Sequence, residues 1–180
     1  MAEPEGWVSV STPYVTPRSA DDREAWADEA SRHGRSGTQR LIEVREVRPP
    51  RLVAEALDSG EDLVVVRRRV MLLDDQPVEL VDSYYPGAIA RMTSLADPRR
   101  IRGGAVSLLA ELGYPARRAS EDVYAREAAP EEQTALRLGE GAWVLILFRL
   151  LTSDGGVPIE ASVMTAPART RRLRYELAVG

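Results

Sequence analysis

The chain has 180 residues, no cysteine and a net charge of -4. This length suits one domain with a sizeable core, and the lack of cysteine excludes disulfides, thiol catalysis and cysteine metal sites. The acidic balance argues against nucleic-acid binding by this chain itself, and with neither a membrane-length apolar run nor a signal-peptide pattern a cytoplasmic location is expected.

The first 34 residues predict a linker-like arm followed by a helix. Residues 7–10 can form a short strand, and prolines favour an extended backbone at residues 12–17. Trp7 and Tyr14 are the side chains expected to dock this arm. Ser19 can cap a helix over residues 21–33, with Trp26 and several alanines as its buried stripe.

The remaining residues predict strands that are joined mainly by hairpins and separated by single helices. The strands fall at 38–47, 63–73, 78–86, 117–126, 143–152 and 158–164, with a final extended piece at 172–179; the helices fall at 51–57, 88–95, 105–112 and from 130 to 138. The first hairpin is expected to turn at residues 74–77. Hairpin-linked strands imply an antiparallel sheet with helices packed on it, so the fold class is α+β.

Three consecutive arginines interrupt the first hairpin. Strand alternation places Arg67 and Arg69 on one side of the sheet and Arg68 on the other. Either of the first two could contact a ligand, or all three could form a solvated edge. All 24 basic residues of the chain are arginine, which weakens any argument from arginine alone.

The second hairpin, residues 143–164, repeats the pattern of the first. Glu79 and Glu160 follow matching turn prolines, and Arg68 and Arg149 each lie nine residues before those prolines. The two glutamates could form an acid–base pair, but ion pairing with arginines in the sheet is the commoner role of such residues. Trp143 and Phe148 are expected in the core.

Several motifs, taken in their order along the chain, resemble the UTRA domain, the effector-binding half of GntR-type transcription regulators of the HutC branch. They are Arg67–Val78, Ser83–Pro86, Leu108–Tyr114, Ala129–Leu138, Asp154–Glu160 and Leu173–Leu177. The resemblance implies a chorismate-lyase-like α+β fold over residues 35–180, preceded by an N-terminal linker-like segment, an arm and a helix, at residues 1–34. It also implies a small-molecule pocket without a cofactor, and a homodimer.

The resemblance also implies which residues face the effector. The effector-facing arginine falls on Arg69 and its partner position on Met71, while a phosphate-binding serine of the family falls on Gly104. The weakened anion site disfavours a phosphorylated amino sugar and favours a larger or more apolar ligand. The full set of expected ligand-binding residues is Arg67, Arg69, Met71, Glu79, Val81, Ser83, Gly104, Ala105, Val106, Glu160 and Ser162.

The expected function is therefore sensing of a small-molecule effector by an allosteric regulator. In the family a winged helix-turn-helix precedes this domain and contacts DNA, whereas about 35 residues precede it here. The sequence is consistent with a segment of a longer regulator or with a natural stand-alone domain. The rival interpretation is an enzyme of chorismate-lyase-like fold that acts on a small anionic metabolite, because one fold can carry unrelated functions.

Overall fold

A computed structural model describes residues 6–177. The strands are β1 Trp7–Ser9, β2 Gly37–Val47, β3 Val64–Leu73, β4 Gln76–Pro86, β5 Arg118–Glu127, β6 Trp143–Thr152, β7 Pro158–Pro167 and β8 Arg171–Leu173. The helices are α1 Thr12–Val15, α2 Ala25–Arg32, α3 Arg51–Leu57, α4 Gly87–Ala90, α5 Gly104–Glu111 and α6 Pro130–Leu136. Among the described residues, no helix is both long and apolar enough to cross a membrane.

Six of the strands form one antiparallel sheet in the order β2-β3-β4-β7-β6-β5. The two hairpins, β3-β4 and β6-β7, lie side by side in the middle of this sheet because β4 pairs with β7. A separate parallel pair joins β1 of the N-terminal arm to β8. The sequence prediction of an α+β fold with an antiparallel sheet is confirmed.

The turn of the first hairpin is tighter than predicted. Only Asp74 and Asp75 lie between the strands, and both have positive φ, 48° and 62°, as a two-residue type I′ hairpin turn requires. Asp74 also accepts hydrogen bonds from the Ser36 amide and the Arg35 side chain, which lowers the pKa of Asp74. Gln76 and Pro77, predicted as turn residues, already pair in the ladder.

Several predicted elements differ from the structure near the chain ends. Residues 12–15 form the short helix α1 rather than extended backbone, because Pro13 fits the first turn of a helix. Helix α2 begins only at Ala25, and Ser19 instead donates its amide to Asp22. The final strand ends at Leu173, and residues 178–179 of the predicted extended piece lie outside the described part of the chain.

Different helices pack on the two faces of the sheet. On one face α3 and α6 pack on apolar side chains of the central strands, including Phe148, which is 4% exposed as expected for a core residue. Trp143 is 53% exposed, so its predicted core position is wrong: it lies at the first residue of β6, at the end of the sheet.

On the opposite face, two apolar clusters occupy the two ends of the strands. One cluster includes Val65, Tyr85 and Leu151 with residues of α4 and α5, and the other includes Met71 and Val81 with Trp26 and Ala30 of α2. Between the clusters, the strands present polar and charged side chains: Arg67, Arg69, Ser83, Arg149 and Ser162. The candidate site lies over these polar side chains, between the two apolar clusters.

Candidate functional site

A cavity of about 180 Å³ lies over the polar middle of the sheet. Its main walls are side chains of β3, β4, β6 and β7, the start of α5, and residues 7–24, which we call the arm; a few side chains of β2, α2 and β8 complete the lining. A wider cavity of about 940 Å³ adjoins it. The two cavities share seven lining residues: Arg23, Glu24, Gln39, Arg69, Tyr85, Gly104 and Ala105.

A continuous chain of hydrogen bonds crosses the floor of the inner cavity. Arg69 Nη2 donates to Ser83 Oγ at 3.0 Å, Ser83 Oγ lies 2.8 Å from Ser162 Oγ, and Ser162 Oγ donates to Glu160 Oε1 at 2.6 Å. Because the Ser162 hydroxyl hydrogen goes to the glutamate, Ser83 must be the donor between the two serines. The chain thus connects a cation on β3 to a carboxylate on β7.

Each end of this hydrogen-bond chain carries one unpartnered atom. Arg69 Nε and Glu160 Oε2 are buried and have no hydrogen-bond partner among the described residues. A buried donor or acceptor without a partner carries a desolvation penalty of about 1–3 kcal/mol. A bound molecule that accepts from Arg69 and donates to Glu160 would remove both penalties.

Three other charged side chains of the cavity, those of Glu79, Arg149 and Arg171, are paired within the protein. Arg149 Nε lies 2.6 Å from Glu121 Oε1, with both side chains largely buried. Arg171 Nη2 lies 3.3 Å from Glu79 Oε2, and Arg171 Nη1 donates to Ser9 Oγ at 2.6 Å. The predicted pairing of glutamates with arginines therefore holds for Glu79, whereas Glu160 makes no ion pair with any described residue.

Glu79 provides a pH-dependent test of this arrangement. Burial raises the pKa of the Glu79 carboxyl above its ordinary value of 4.5, against the opposing effect of Arg171. A raised pKa in the folded state gives stability that is complete below pH 4.5 and is lost as the pH rises through the folded value. We expect Glu79→Gln to gain stability relative to the wild type as the pH rises from 4.5 towards 8, measured by urea unfolding. A stability difference that is constant over this range would contradict the assignment.

The structure brings most of the expected ligand-binding residues together. Nine of the eleven line the inner cavity: Arg69, Met71, Glu79, Val81, Gly104, Ala105, Val106, Glu160 and Ser162. Ser83 does not line the cavity, but forms the second link of the hydrogen-bond chain. Sequence reasoning omitted Gln39, Leu147, Arg149, Met164 and Arg171, although strand alternation in β6 and β7 could have found Leu147, Arg149 and Met164.

Arg67 is placed differently from the rest of the set. It lines only the wider cavity, and its guanidinium donates to the backbone carbonyls of Ser94, Leu95, Asp97 and Arg99 at 3.3, 3.0, 2.6 and 2.7 Å. Three of these bonds come from Nη1, whose two hydrogens are shared among the carbonyls of Ser94, Leu95 and Asp97, and Nη2 donates to the carbonyl of Arg99. Arg67 thus fixes residues 94–99, which lead to the start of α5.

Two comparisons with known proteins find similar sequences. The family described as UTRA domain matches residues 32–171. An HTH-type transcriptional regulator of Streptomyces coelicolor is 31% identical over 124 residues, 67% of this chain and 46% of that protein. The chain therefore spans about half the length of this curated relative.

Two solved structures share the fold at lower identity. The effector domain of PhnF from Mycobacterium smegmatis has a TM-score of 0.72 at 15% identity, covering 91% of this chain and 99% of that chain. The C-terminal domain of the histidine utilization repressor from Pseudomonas syringae pv. tomato has a TM-score of 0.64 at 21% identity, covering 79% of this chain and 99% of that chain. At these identities the similarity shows the fold.

Proposed function

This chain belongs to the UTRA domain family, the effector-binding part of GntR-family transcription regulators, and on this premise we propose that its effector binds in the inner cavity. The observation that carries the proposal is the pair of unpartnered buried atoms, Arg69 Nε and Glu160 Oε2, at the two ends of one hydrogen-bond chain. Ligand pockets typically combine apolar walls with a few polar groups that fix orientation. Val81, Leu147 and Met164 supply the apolar part of this wall.

The two ends of the hydrogen-bond chain, Arg69 and Glu160, favour a ligand that carries both an acidic and a basic group, that is, an amphoteric ligand. Arg69 calls for an acceptor or anionic group, and Glu160 calls for a donor or cationic group. A dianionic phosphate would gain from Arg69 but would lie near the unpaired carboxylate of Glu160. Arg149 and Arg171, which line the same cavity, are already paired with Glu121 and Glu79. The inner volume of about 180 Å³ holds only part of a typical ligand, so the rest of the molecule extends into the wider cavity.

The proposed role in regulation follows the family. The chain would act in the cytoplasm as the sensing part of a homodimeric regulator of the HutC branch, with residues 35–180 as the domain and residues 1–34 as the N-terminal segment before it. A separate winged-helix domain would contact DNA. Effector binding would shift the population of domain conformations and thereby change the spacing of the DNA-binding domains.

Thermal shifts across a metabolite panel test the ligand class. We expect zwitterionic amino acids and carboxylated amino sugars to raise the melting temperature, because binding to the folded state stabilises it by mass action. Matched compounds that lack either the acidic or the basic group serve as controls and should give much smaller shifts. Stabilisation by sugar phosphates alone would contradict the proposal.

An enzyme of chorismate-lyase-like fold is the second candidate. The observation that favours it is that an arginine and a glutamate, Arg69 and Glu160, line one cavity, since such pairs can hold and protonate an anionic substrate. The stabilising compounds should therefore be incubated with the protein and analysed by mass spectrometry. Recovery of the unchanged compound supports the sensor, and a product that requires intact Glu160 supports the enzyme.

A further inference from the structure

The arm is itself a wall of the inner cavity. Ten of the residues that line this cavity belong to the arm: Ser9, Val10, Ser11, Pro13, Tyr14, Thr16, Arg18, Asp22, Arg23 and Glu24. The family match begins only at residue 32, so this wall precedes the part of the chain that matches the family. A ligand in the cavity would therefore contact both the sheet and the arm.

The first anchor of the arm is Glu29 on α2. Its carboxylate accepts hydrogen bonds from three arm side chains: Trp7 Nε1, Tyr14 OH, and Ser9 Oγ at 3.0 Å. Burial and the neighbouring Glu29 raise the pKa of Tyr14, so the phenol keeps the proton that it donates. One side chain thus holds the beginning of the arm against the body of the domain.

The second anchor is Ser107 on α5. Its Oγ accepts a hydrogen bond from the Arg18 amide at 2.8 Å and lies 2.8 Å from the Arg18 carbonyl oxygen, to which it can donate. The close approach depends on Gly103, where a Cβ atom would lie 3.0 Å from the same carbonyl and where φ is +73°. Ser107 lies one helical turn after Gly104, and Gly104 lines both cavities.

We propose that the arm completes the effector site and that Ser107 joins it to the start of α5, so that the two move as one unit. The inference rests on the proposed function for the position of the ligand. A ligand that contacts the start of α5 then also changes the free energy of arm docking, and a change in arm docking changes ligand affinity by the same factor.

Hydrogen exchange of the ligand-free protein tests the connection between the arm and α5. We expect Ser107→Ala to speed amide exchange about five- to tenfold in peptides from residues 9–24 and also in peptides from residues 103–107, because the two segments lose a shared hydrogen bond. Glu29→Ala, which removes the acceptor of all three arm hydrogen bonds, should speed exchange in residues 9–24 as a second, independent release. Ser120→Ala, an exposed serine of β5, is the matched control and should change neither region.

Binding of the apolar anionic dye 8-anilinonaphthalene-1-sulfonate tests whether the arm is the wall. We expect its fluorescence to rise several-fold in Ser107→Ala and Glu29→Ala, because displacement of the arm uncovers the apolar lining. Amide exchange at wild-type rates in both variants would overturn the proposal. In Ser107→Ala, faster exchange in the arm without faster exchange at residues 103–107 would also overturn it. Faster exchange without increased dye fluorescence would overturn the role of the arm as a wall. None of these outcomes depends on the metabolite panel, so this proposal and the ligand assignment can fail separately.

Discussion

Replacing Arg67 by methionine is expected to lower the free energy of unfolding by about 3 kcal/mol. The substitution keeps the apolar stem but removes the guanidinium that donates to four backbone carbonyls of residues 94–99. Leu95 is fully buried, so its carbonyl has little chance to exchange the lost bond for one to water. Urea unfolding at neutral pH measures the loss.

Arg68→Met is the matched control for this experiment. Arg68 is the next residue of the same strand, but its side chain is 40% exposed and lies on the opposite face, where it pairs with Asp82 through two hydrogen bonds of 2.9 Å and with Glu43 at 3.3 Å. Partly exposed ion pairs typically contribute about 1 kcal/mol or less, so the control should lose much less stability. Equal losses in the two variants would contradict the role of Arg67 as the clamp of the loop.

The sequence allowed the sheet and its hairpins to be predicted because their signals are local. The apolar runs, the turn prolines and the acidic turn at Asp74 and Asp75 all lie within the elements that they define. Alternation also placed Arg67 and Arg69 correctly on one face. The different contacts of these two arginines could not be predicted, because the loop that surrounds Arg67 comes from residues 94–99, far along the chain.

The similarity of the two hairpins was misleading for Arg68 and Arg149. Both lie nine residues before a turn proline, yet Arg149 points into the cavity and Arg68 to the opposite face. The turns explain the difference: the first has two residues between its strands, whereas the second runs from Ser153 to Val157 and contains a 3-10 turn. Extra turn residues change which face a given spacing reaches.

The contribution of the arm to the cavity could not be predicted from the sequence either. Trp7 and Tyr14 were predicted as docking side chains, and both pack against the cluster around Trp26. Their hydrogen bonds to Glu29, and those of Arg18 to Ser107, join residues that are 15 to 89 positions apart. No local pattern marks such pairs, since serine, glutamate and a backbone amide occur in every solvated segment.

The second large expected effect is a loss of ligand affinity when Glu160, the carboxylate end of the hydrogen-bond chain, is replaced. Glu160→Gln keeps the shape of the side chain and an oxygen to accept from Ser162, but it replaces the unpartnered Oε2 by an NH₂ group. An acceptor for a cationic ligand group thereby becomes a donor. We expect the affinity for an amphoteric ligand to fall about 10- to 100-fold, the loss typical of one charge-assisted hydrogen bond.

Two comparisons separate this effect from general loss of charge or of structure. Asp122→Asn removes one carboxylate from the exposed strand β5 and should leave the affinity within about twofold, because screened surface charges contribute little. Arg69→Gln should weaken binding of the same ligand through its acidic group. An analogue without the basic group should lose affinity in Arg69→Gln but not in Glu160→Gln.

Isothermal titration of the most stabilising amphoteric ligand into the wild type, Glu160→Gln and Asp122→Asn tests the central claim most directly. If the ligand lies between Arg69 and Glu160, the Kd rises about 10- to 100-fold in Glu160→Gln alone, while all three proteins unfold at similar urea concentrations. Equal affinity in all three proteins would show that the effector does not contact Glu160, and it would contradict the assignment of the inner cavity as the effector site.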